Sequence, residues 1–413
     1  MHILFVADGR SPTTRRWIQG VRALQHEITL VSTFPCDPLP EALNTIIFPV
    51  AFSNYAAGNR PTQATNSNPT RRLIKRFRAV FLAARAWLGP LTLPGLAPRF
   101  RKLVEQIQPD AVHALRIPFE GMLAAYTPAD IPLILSIWGN DLTLHAPSSP
   151  WMRSRTIQTL RRANGLIADA QRDIRLARQW GYPYDRPTLV VPGNGGIDLA
   201  GLRREAGTAA QMNSEQSTSK AAFTLPEGPL VINPRGLRAY VRNDTFFQAI
   251  PLVLEHNPQV HFLCTSMADQ AEALGWVSRL RLDERVHLLP TLSQAELWNL
   301  MMRSDVAVSI SSHDGTPNSL LESMACGCFP IVGDLESLRE WITPGRNGLL
   351  VEPGKPQGLA SAILLALDSP SLRQAAAETN LRMVQERTEV NLVRAQIQVF
   401  YQRCHSEGQR PER

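Results

Sequence analysis

Several things are scarce in this 413-residue chain, and each scarcity excludes a class of protein. No long uncharged apolar run occurs, so no segment reads as a membrane-spanning helix, which needs about 20 such residues. The apolar opening Met1-His2-Ile3-Leu4-Phe5-Val6 stops at Asp8, with no basic n-region and no small-residue cleavage site, and reads as a buried strand rather than a signal peptide. Cysteine is sparse: Cys36, Cys264, Cys326, Cys328 and Cys404 are odd in number and scattered, as reduced thiols of a cytoplasmic protein would be. Cys326 and Cys328 form a C-x-C without a second ligand pair nearby, so no metal site is expected there. The glycines never fall into G-x-G-x-x-G, which leaves dinucleotide binding without support.

Acid is missing from one stretch. Between residues 42 and 104 there are ten Lys and Arg (Arg60, Arg71, Arg72, Lys75, Arg76, Arg78, Arg85, Arg99, Arg101, Lys102) and no Asp or Glu, against a net charge of +7 for the whole chain. The remainder is therefore slightly acidic. The basicity belongs to one local element and does not indicate a nucleic acid partner.

What is present is length and alternation. At 413 residues, 44% of them hydrophobic, two domains with substantial cores are expected. Apolar β-rich runs at 3–7, 28–31, 45–50, 111–114, 133–138, 165–168 and 189–191 alternate with helical stretches. After a polar segment around 208–220 the pattern restarts at 230–233, 261–264, 286–289, 306–310, 329–332 and 349–351. Several runs are continuous Val/Ile/Leu rather than alternating, as a parallel sheet covered on both faces requires. Two βαβ series imply an α/β protein of two doubly wound, Rossmann-like parallel-sheet domains. The expected division is 1–200, a linker over 201–227, a second domain over 228–388, and a terminal helix within 389–413 returning toward the first domain.

Three segments carry chemistry. In Ser311-Ser312-His313-Asp314-Gly315-Thr316-Pro317-Asn318-Ser319-Leu320-Leu321-Glu322, directly after the run 306–310, Thr316 suits an N-cap, Pro317 the first helical position, and Gly327 the close of the helix. That spacing puts Asp314 at a strand's carboxyl end and Glu322 about two turns into the helix. The amides near Asn318 and Ser319 then offer a helix N-terminus to a diphosphate, and Gly315 allows close approach of backbone to ligand. An ordinary capped βα turn, with Asp314 a loop acid and Glu322 an exposed helical one, fits the segment alone equally well. The second segment, Asn233-Pro234-Arg235-Gly236-Leu237-Arg238-Ala239-Tyr240-Val241-Arg242-Asn243-Asp244, follows the first strand of the second series. Its guanidiniums Arg235 and Arg242 could reach a diphosphate and offset charge on a leaving group without a metal ion. Third, Ala7-Asp8-Gly9-Arg10-Ser11-Pro12 is the first βα loop, where Gly9 can approach a donor and Ser11 with Pro12 starts a helix.

Taken together these residues resemble the family-4 retaining glycosyltransferases with the GT-B fold. Asp314-x7-Glu322 followed by Ser323-Met324-Ala325-Cys326-Gly327 is similar to that family's E-x7-E signature, and Pro234-Arg235-Gly236 with Arg242 to its G-R-L…K-G segment. Val191-Pro192-Gly193-Asn194-Gly195-Gly196-Ile197-Asp198 resembles its P-N-G-(V/I)-D turn, and Thr14-Arg15-Arg16-Trp17-Ile18 the start of its first helix. The resemblance implies two domains facing across a cleft that holds a nucleotide-diphosphate sugar, and transfer with retention to a glycan or lipid-linked acceptor. It implies no obligatory cofactor or metal. Asp314 takes the acid that meets donor-sugar hydroxyls or the diphosphate region, Glu322 the one that holds the ribose, and Arg235 and Arg242 the diphosphate-binding cations. Gly9, Gly315, Thr316, Asn318 and Ser319 are the donor-side residues, and Trp138 and Asp141 lie on the sugar and acceptor side.

Three departures stand out. Asp314 replaces the commoner Glu, Arg242 replaces Lys, and in Ser136-Ile137-Trp138-Gly139-Asn140-Asp141 the family's frequent H-G-x-D has Trp138 in place of histidine. His113 and His145 are possible substitutes for that histidine. The other readings of the same architecture are a sugar-nucleotide epimerase, a phosphorylase, for which the few lysines offer no cofactor motif, and a non-catalytic nucleotide-sugar-binding subunit.

The basic stretch, treated as an insertion over 69–102, has its own pattern. On a helical wheel Leu73, Ile74, Phe77, Val80, Phe81, Ala84, Trp87 and Leu88 share one side, and Arg71, Arg72, Lys75, Arg76, Arg78 and Arg85 the other. That suits a helix lying on the anionic inner face of a membrane, with residues 91–96 extending its apolar patch. A helix packed on the first domain, with its arginines solvated, is the other reading.

Overall fold

The computed structural model of the chain describes residues 1–53, 78–193, 195–212 and 225–408. It divides into two compact units, residues 1–195 with 393–413, and residues 196–392. Each is built on one parallel sheet. In the first unit β1 (His2–Ala7), β2 (Glu27–Ser32), β3 (Asn44–Ile47), β4 (Ala111–Leu115), β5 (Leu133–Ile137), β6 (Gly165–Ala168) and β7 (Thr188–Val190) lie in the order β3-β2-β1-β4-β5-β6-β7. In the second, β8 (Leu230–Asn233), β9 (His261–Cys264), β10 (Val286–Leu288), β11 (Val306–Ser309), β12 (Phe329–Gly333) and β13 (Leu349–Val351) lie in the order β10-β9-β8-β11-β12-β13. Every expected strand forms, seven in one sheet and six in the other.

The continuous apolar runs are explained by burial on both faces. Leu4 and Val6 join one core with Val112, Ala114, Leu133 and Leu135. Ile3, Phe5 and Ala7, pointing the other way by the two-residue period of a strand, join another with Ala111 and Ile134. Helix Arg78–Ile107 covers the first face with Leu93, Phe100 and Val104. Helix Pro12–Arg22 (Trp17, Ile18, Val21) and the final helix Val390–Gly408 (Val393, Ile397, Phe400, Tyr401, Cys404) cover the second. The return of the final helix is specified by close contact: a Cβ on Gly165 would lie 2.5 Å from Cys404 Sγ. The Tyr401 hydroxyl lies 2.7 Å from His113 Nδ1, whose ring also meets Ser136 Oγ through Nε2 at 2.9 Å. In the second unit Val231, Phe262, Val306, Val308 and Phe329 pack against helices Asn243–Leu254 and Pro356–Leu367 through Phe246, Ile250, Leu359 and Ile363.

Two expectations are corrected. The basic insertion over 69–102 is not a separate amphipathic element where it is described. Leu93, Phe100 and Val104 are wholly buried, each such side chain contributing about 1.5–3 kcal/mol to the first core, because they face the sheet. This helix runs through Pro90, Pro94 and Pro98, and the carbonyl of Ala86 that Pro90 cannot serve accepts from Ser149 Oγ at 2.8 Å instead. The wheel also inverts at its end: Trp87 and Leu88 are each 51% exposed, whereas Arg85 turns inward over Phe34 and Phe119. Residues 71–77, which carry most of the wheel, lie outside the described residues, and for 78–84 only the backbone is described. The second correction concerns the linker over 201–227. Helix Leu199–Met212 occupies its first part and belongs to the second unit, because Leu199 and Leu202 are buried beside Leu320, Leu321 and Met324. Residues 213–224 lie outside the described residues.

Candidate active site

In an open parallel sheet, ligands bind beyond the carboxyl ends of the strands where the strand order reverses. In the second sheet that point lies between β8 and β11. The loops leaving those strands are the two that carry the candidate arginines and acids. They are zipped together: Arg242 N donates to Ile310 O at 2.9 Å, Ser312 N donates to Tyr240 O at 2.9 Å, and Val241 bridges Ser311. The β8 loop is shaped from below by two buried amides. Asn233 Oδ1 accepts from Arg235 N at 3.1 Å, and Asn243 Nδ2 donates to the carbonyl of Gly236 at 3.2 Å. Gly236 has φ +63°, a conformation costly for any residue with a Cβ, so glycine is required at this turn.

Arg235 and Asp314 come together. Arg235 Nη2 donates to Asp314 Oδ2 at 2.7 Å, Ser311 Oγ donates to the same oxygen at 3.0 Å, and Arg235 Nη1 donates to Ser319 Oγ at 3.4 Å. The two side chains are only 8% and 13% exposed. Arg235 Nε is enclosed without a hydrogen-bond partner among the described residues. Arg242 forms a two-pronged pair with Asp244, Nε to Oδ1 at 2.9 Å and Nη2 to Oδ2 at 2.7 Å. This guanidinium holds the Asp244 carboxyl below the usual carboxylate range. Gly354, with φ +92°, leaves room for it, since a Cβ there would lie 3.1 Å from Arg242 Nη1.

Helix Asn318–Ala325 starts one residue later than expected. Pro317 takes the N-cap position without a side-chain acceptor, because the hydroxyl of Thr316 faces the core and accepts from the Trp341 indole at 3.1 Å. The closing Gly327 has φ +86°, as a helix C-terminus requires. Glu322 is 4% exposed, so it is an enclosed carboxylate and not an exposed helical one. Ser337 Oγ donates to Asp314 O at 2.8 Å and steadies the Gly315 turn. Asn233, Asn243, Asp244, Ser311, Ser337 and Gly354 were not singled out from the sequence. Only Asp244, two residues beyond Arg242, carried a local signal.

In the first unit Gly9 donates its amide to Ser32 Oγ at 3.1 Å, and a Cβ on it would lie 2.5 Å from Cys36 Sγ; packing against β2's outgoing loop already demands glycine. Ser11 caps helix Pro12–Arg22, with Pro12 at its start, as expected. Asp141 is enclosed, and its carboxylate accepts from Arg116 Nε and Nη2 at 3.2 and 3.0 Å and from the amides of Ile117 and Trp138 at 3.1 and 3.2 Å. It therefore positions the Trp138 loop, whose ring lies 5.1 Å below the Arg116 guanidinium. His113 cannot replace the missing histidine: it is sealed in the core, and burial pushes its imidazole down to about 3. His145 ends the short turn Asp141–His145. No three His, Cys, Asp or Glu side chains are grouped as a metal would require among the described residues, and burial pushes the Cys328 thiol up to about 12.

Residues 236–369 match the family of glycosyl transferases group 1, and residues 8–193 match the glycosyl transferase 4-like domain. The chain belongs to the group 1 glycosyl transferases. Among relatives of this transferase, the D-inositol 3-phosphate glycosyltransferase of Jonesia denitrificans is 22% identical over 254 residues, a match spanning 58% of each chain. Solved structures similar in fold include the sucrose-phosphate synthase of Thermosynechococcus elongatus (TM-score 0.68, 16% identity, 98% of this chain and 99% of that one). Anabaena HepE in complex with UDP and glucose is another (TM-score 0.66, 18% identity, 98% and 100%). These likenesses establish the two-domain GT-B fold. No described helix is long and apolar enough to cross a membrane.

Proposed function

We propose that this glycosyl transferase moves a hexosyl-type group from a nucleoside-diphosphate sugar to a glycan or lipid-linked acceptor, with retention and without a metal ion. The observation that carries the reading is the convergence of Arg235, Asp314, Ser319 and Arg242 at the switch point of the second sheet. Arg242 is partly exposed and can donate further to a diphosphate, while Arg235, with its Nε enclosed, adds its positive charge beside it. The amino end of helix Asn318–Ala325 adds its positive dipole end to the same place. These charges meet the need that arises when the bond between the sugar C1 and the phosphate oxygen breaks. The acceptor oxygen bonds to C1 on the face the nucleotide leaves, and its proton passes to the departing phosphate. Glu322, enclosed just over one turn along the helix, is assigned the ribose hydroxyls. Bound UDP in HepE supports a uridine nucleotide as the first donor to try.

The first unit is assigned the acceptor. Trp87, Leu88 and Leu91, exposed together on helix Arg78–Ile107, support a membrane-borne acceptor reached from the cytoplasmic face. The test is turnover of labelled nucleotide sugars in excess chelator, with and without vesicles. The anomeric configuration of the product, read by NMR, reports retention. Donor turnover that vanishes on chelation and returns with magnesium or manganese overturns the metal-free reading. A product of inverted configuration overturns retention.

A further inference from the structure

The first sheet has a switch point of its own, between β1 and β4, and it too is lined with arginine. Arg85 reaches it from helix Arg78–Ile107. Its guanidinium carbon lies 4.9 Å from the Phe34 ring and 4.5 Å from the Phe119 ring. Arg10, from the loop after β1, lies 3.8 Å from the same Phe34 ring. This arrangement is built and not incidental. Ser32 Oγ donates to Phe34 O at 2.6 Å while accepting from Gly9 N, which fixes Phe34 beside the β1 loop. Phe119 sits at φ +67° and Arg116 at φ +111°, a strained pair for residues with side chains. Gly89, one helical turn after Arg85, is the residue that lets the helix close on Phe119, since a Cβ there would lie 2.6 Å from the ring.

Three carboxyls, Asp8, Asp141 and Glu120, match Arg10, Arg85 and Arg116 in number, but none of them is in hydrogen-bond contact with Arg85 among the described residues. Asp8 is engaged with both ends of Arg10, and Asp141 with Arg116. Glu120 is the remaining acid facing the cluster; its carboxyl is wholly enclosed, accepts from Thr33 Oγ1 at 2.7 Å, and burial pushes it above the usual carboxylate range. Arg85 is mostly buried, and its Nε has no hydrogen-bond partner among the described residues. Burial holds this guanidinium below its usual range, with Arg116 and Arg10 acting in the same direction and Glu120 and Asp8 opposing. A buried arginine stacked between two rings, with two further arginines in electrostatic reach, is an environment that an incoming oxyanion stabilises.

We propose that the Arg85–Phe34–Arg10 cluster binds an anionic group of the acceptor, a phosphate ester or carboxylate, so that the transferase selects charged acceptors over neutral ones. The inference rests on the assignment of the first unit to the acceptor. Its probe is inorganic phosphate, titrated calorimetrically into the full chain with UDP present to occupy nucleotide-binding groups. Wild type binds phosphate; Arg85→Met weakens it at least tenfold, and Arg235→Ala leaves it unchanged. Arg10→Met, on the more exposed side of Phe34, gives the same direction where Arg85→Met lowers the melting temperature. In turnover, sugar monophosphates outrun their free sugars at least tenfold, and the ratio falls toward one in Arg85→Met. Vesicles of phosphatidylinositol against phosphatidylcholine separate a lipid-borne anion from a soluble one. Equal phosphate affinity in wild type and Arg85→Met, or loss with Arg235→Ala alone, overturns the proposal. Failure of the transferase reading itself appears differently, as absent sugar-nucleotide turnover in wild type.

Discussion

Both sheets place arginine at their switch points, but the two sites hold it by different forces. In the second unit Arg235 and Arg242 each face a carboxylate at 2.7 Å. In the first, Arg85 lies between Phe34 and Phe119 and lacks such a contact among the described residues. A guanidinium already paired with a carboxylate is held in a set orientation, yet part of its charge is spent on that acid. A ligand phosphate there must share the cation or displace the acid. A guanidinium held by aromatic faces is oriented by contacts worth about 0.5–2 kcal/mol each, and its charge is not spent on a carboxylate. Under the proposed assignment, orientation and exchange fall to the donor side and capture to the acceptor side.

The largest effect expected is on the donor side. Arg235→Ala and Glu322→Ala each lower the transfer rate well over tenfold, from loss of a charge-assisted contact worth roughly 1.5–3 kcal/mol. Circular dichroism checks that the fold persists. Near-normal turnover in both variants would leave the second switch point without a role.

A smaller effect of opposite sign is expected at Asp314. If Asp314 competes with the diphosphate for Arg235, Asp314→Asn removes one negative charge beside that guanidinium, and UDP binds several-fold more tightly while turnover falls. Calorimetry with UDP reads the first change and a product assay the second. Weaker UDP binding in this variant shows instead that Asp314 holds Arg235 in place for the nucleotide.

The smallest effect belongs to the enclosed acid of the first unit. The folded-state pKa of Glu120 is raised by burial. Its favourable share of stability is therefore fully present below the ordinary carboxylate pKa of about 4.3 and is lost as pH rises through the raised value. Glu120→Gln, which cannot ionise, raises the melting temperature at pH 8 by more than at pH 4. A melting-temperature difference that does not change between those pH values would mean that Glu120 ionises as readily inside the fold as outside it, with Arg85 then paired.

Much of this architecture is written locally. Each expected strand is found because residues such as Leu4 and Phe5 must be buried whichever face they point to, and a continuous apolar run is the only pattern that allows it. The Ser11–Pro12 helix start and the Gly327 helix end are local chemistry as well. Thr316 shows where this stops: its capping propensity lost to an indole 25 residues away that needed an acceptor. The described end of the basic helix departs from its wheel for a related reason. Its wheel sorts residues by polarity, but at Arg85 two aromatic rings reached from other strands made the inward direction favourable for a cation, and left Trp87 and Leu88 outside.

Local sequence is enough to set two parallel-sheet domains and their strands, and to nominate Asp314, Glu322, Arg235 and Arg242 as candidates for the proposed donor-side chemistry, since strand burial and motif spacing are properties of short segments. Tertiary structure alone decided that Asp314 pairs with Arg235 across 79 residues, that Asp141 is spent on Arg116, and that Arg85 stands between Phe34 and Phe119. The physical reason is common to all three. A charge's role is set by what surrounds it within a few ångströms, and in a doubly wound sheet those neighbours arrive from strands adjacent in space and remote in the chain.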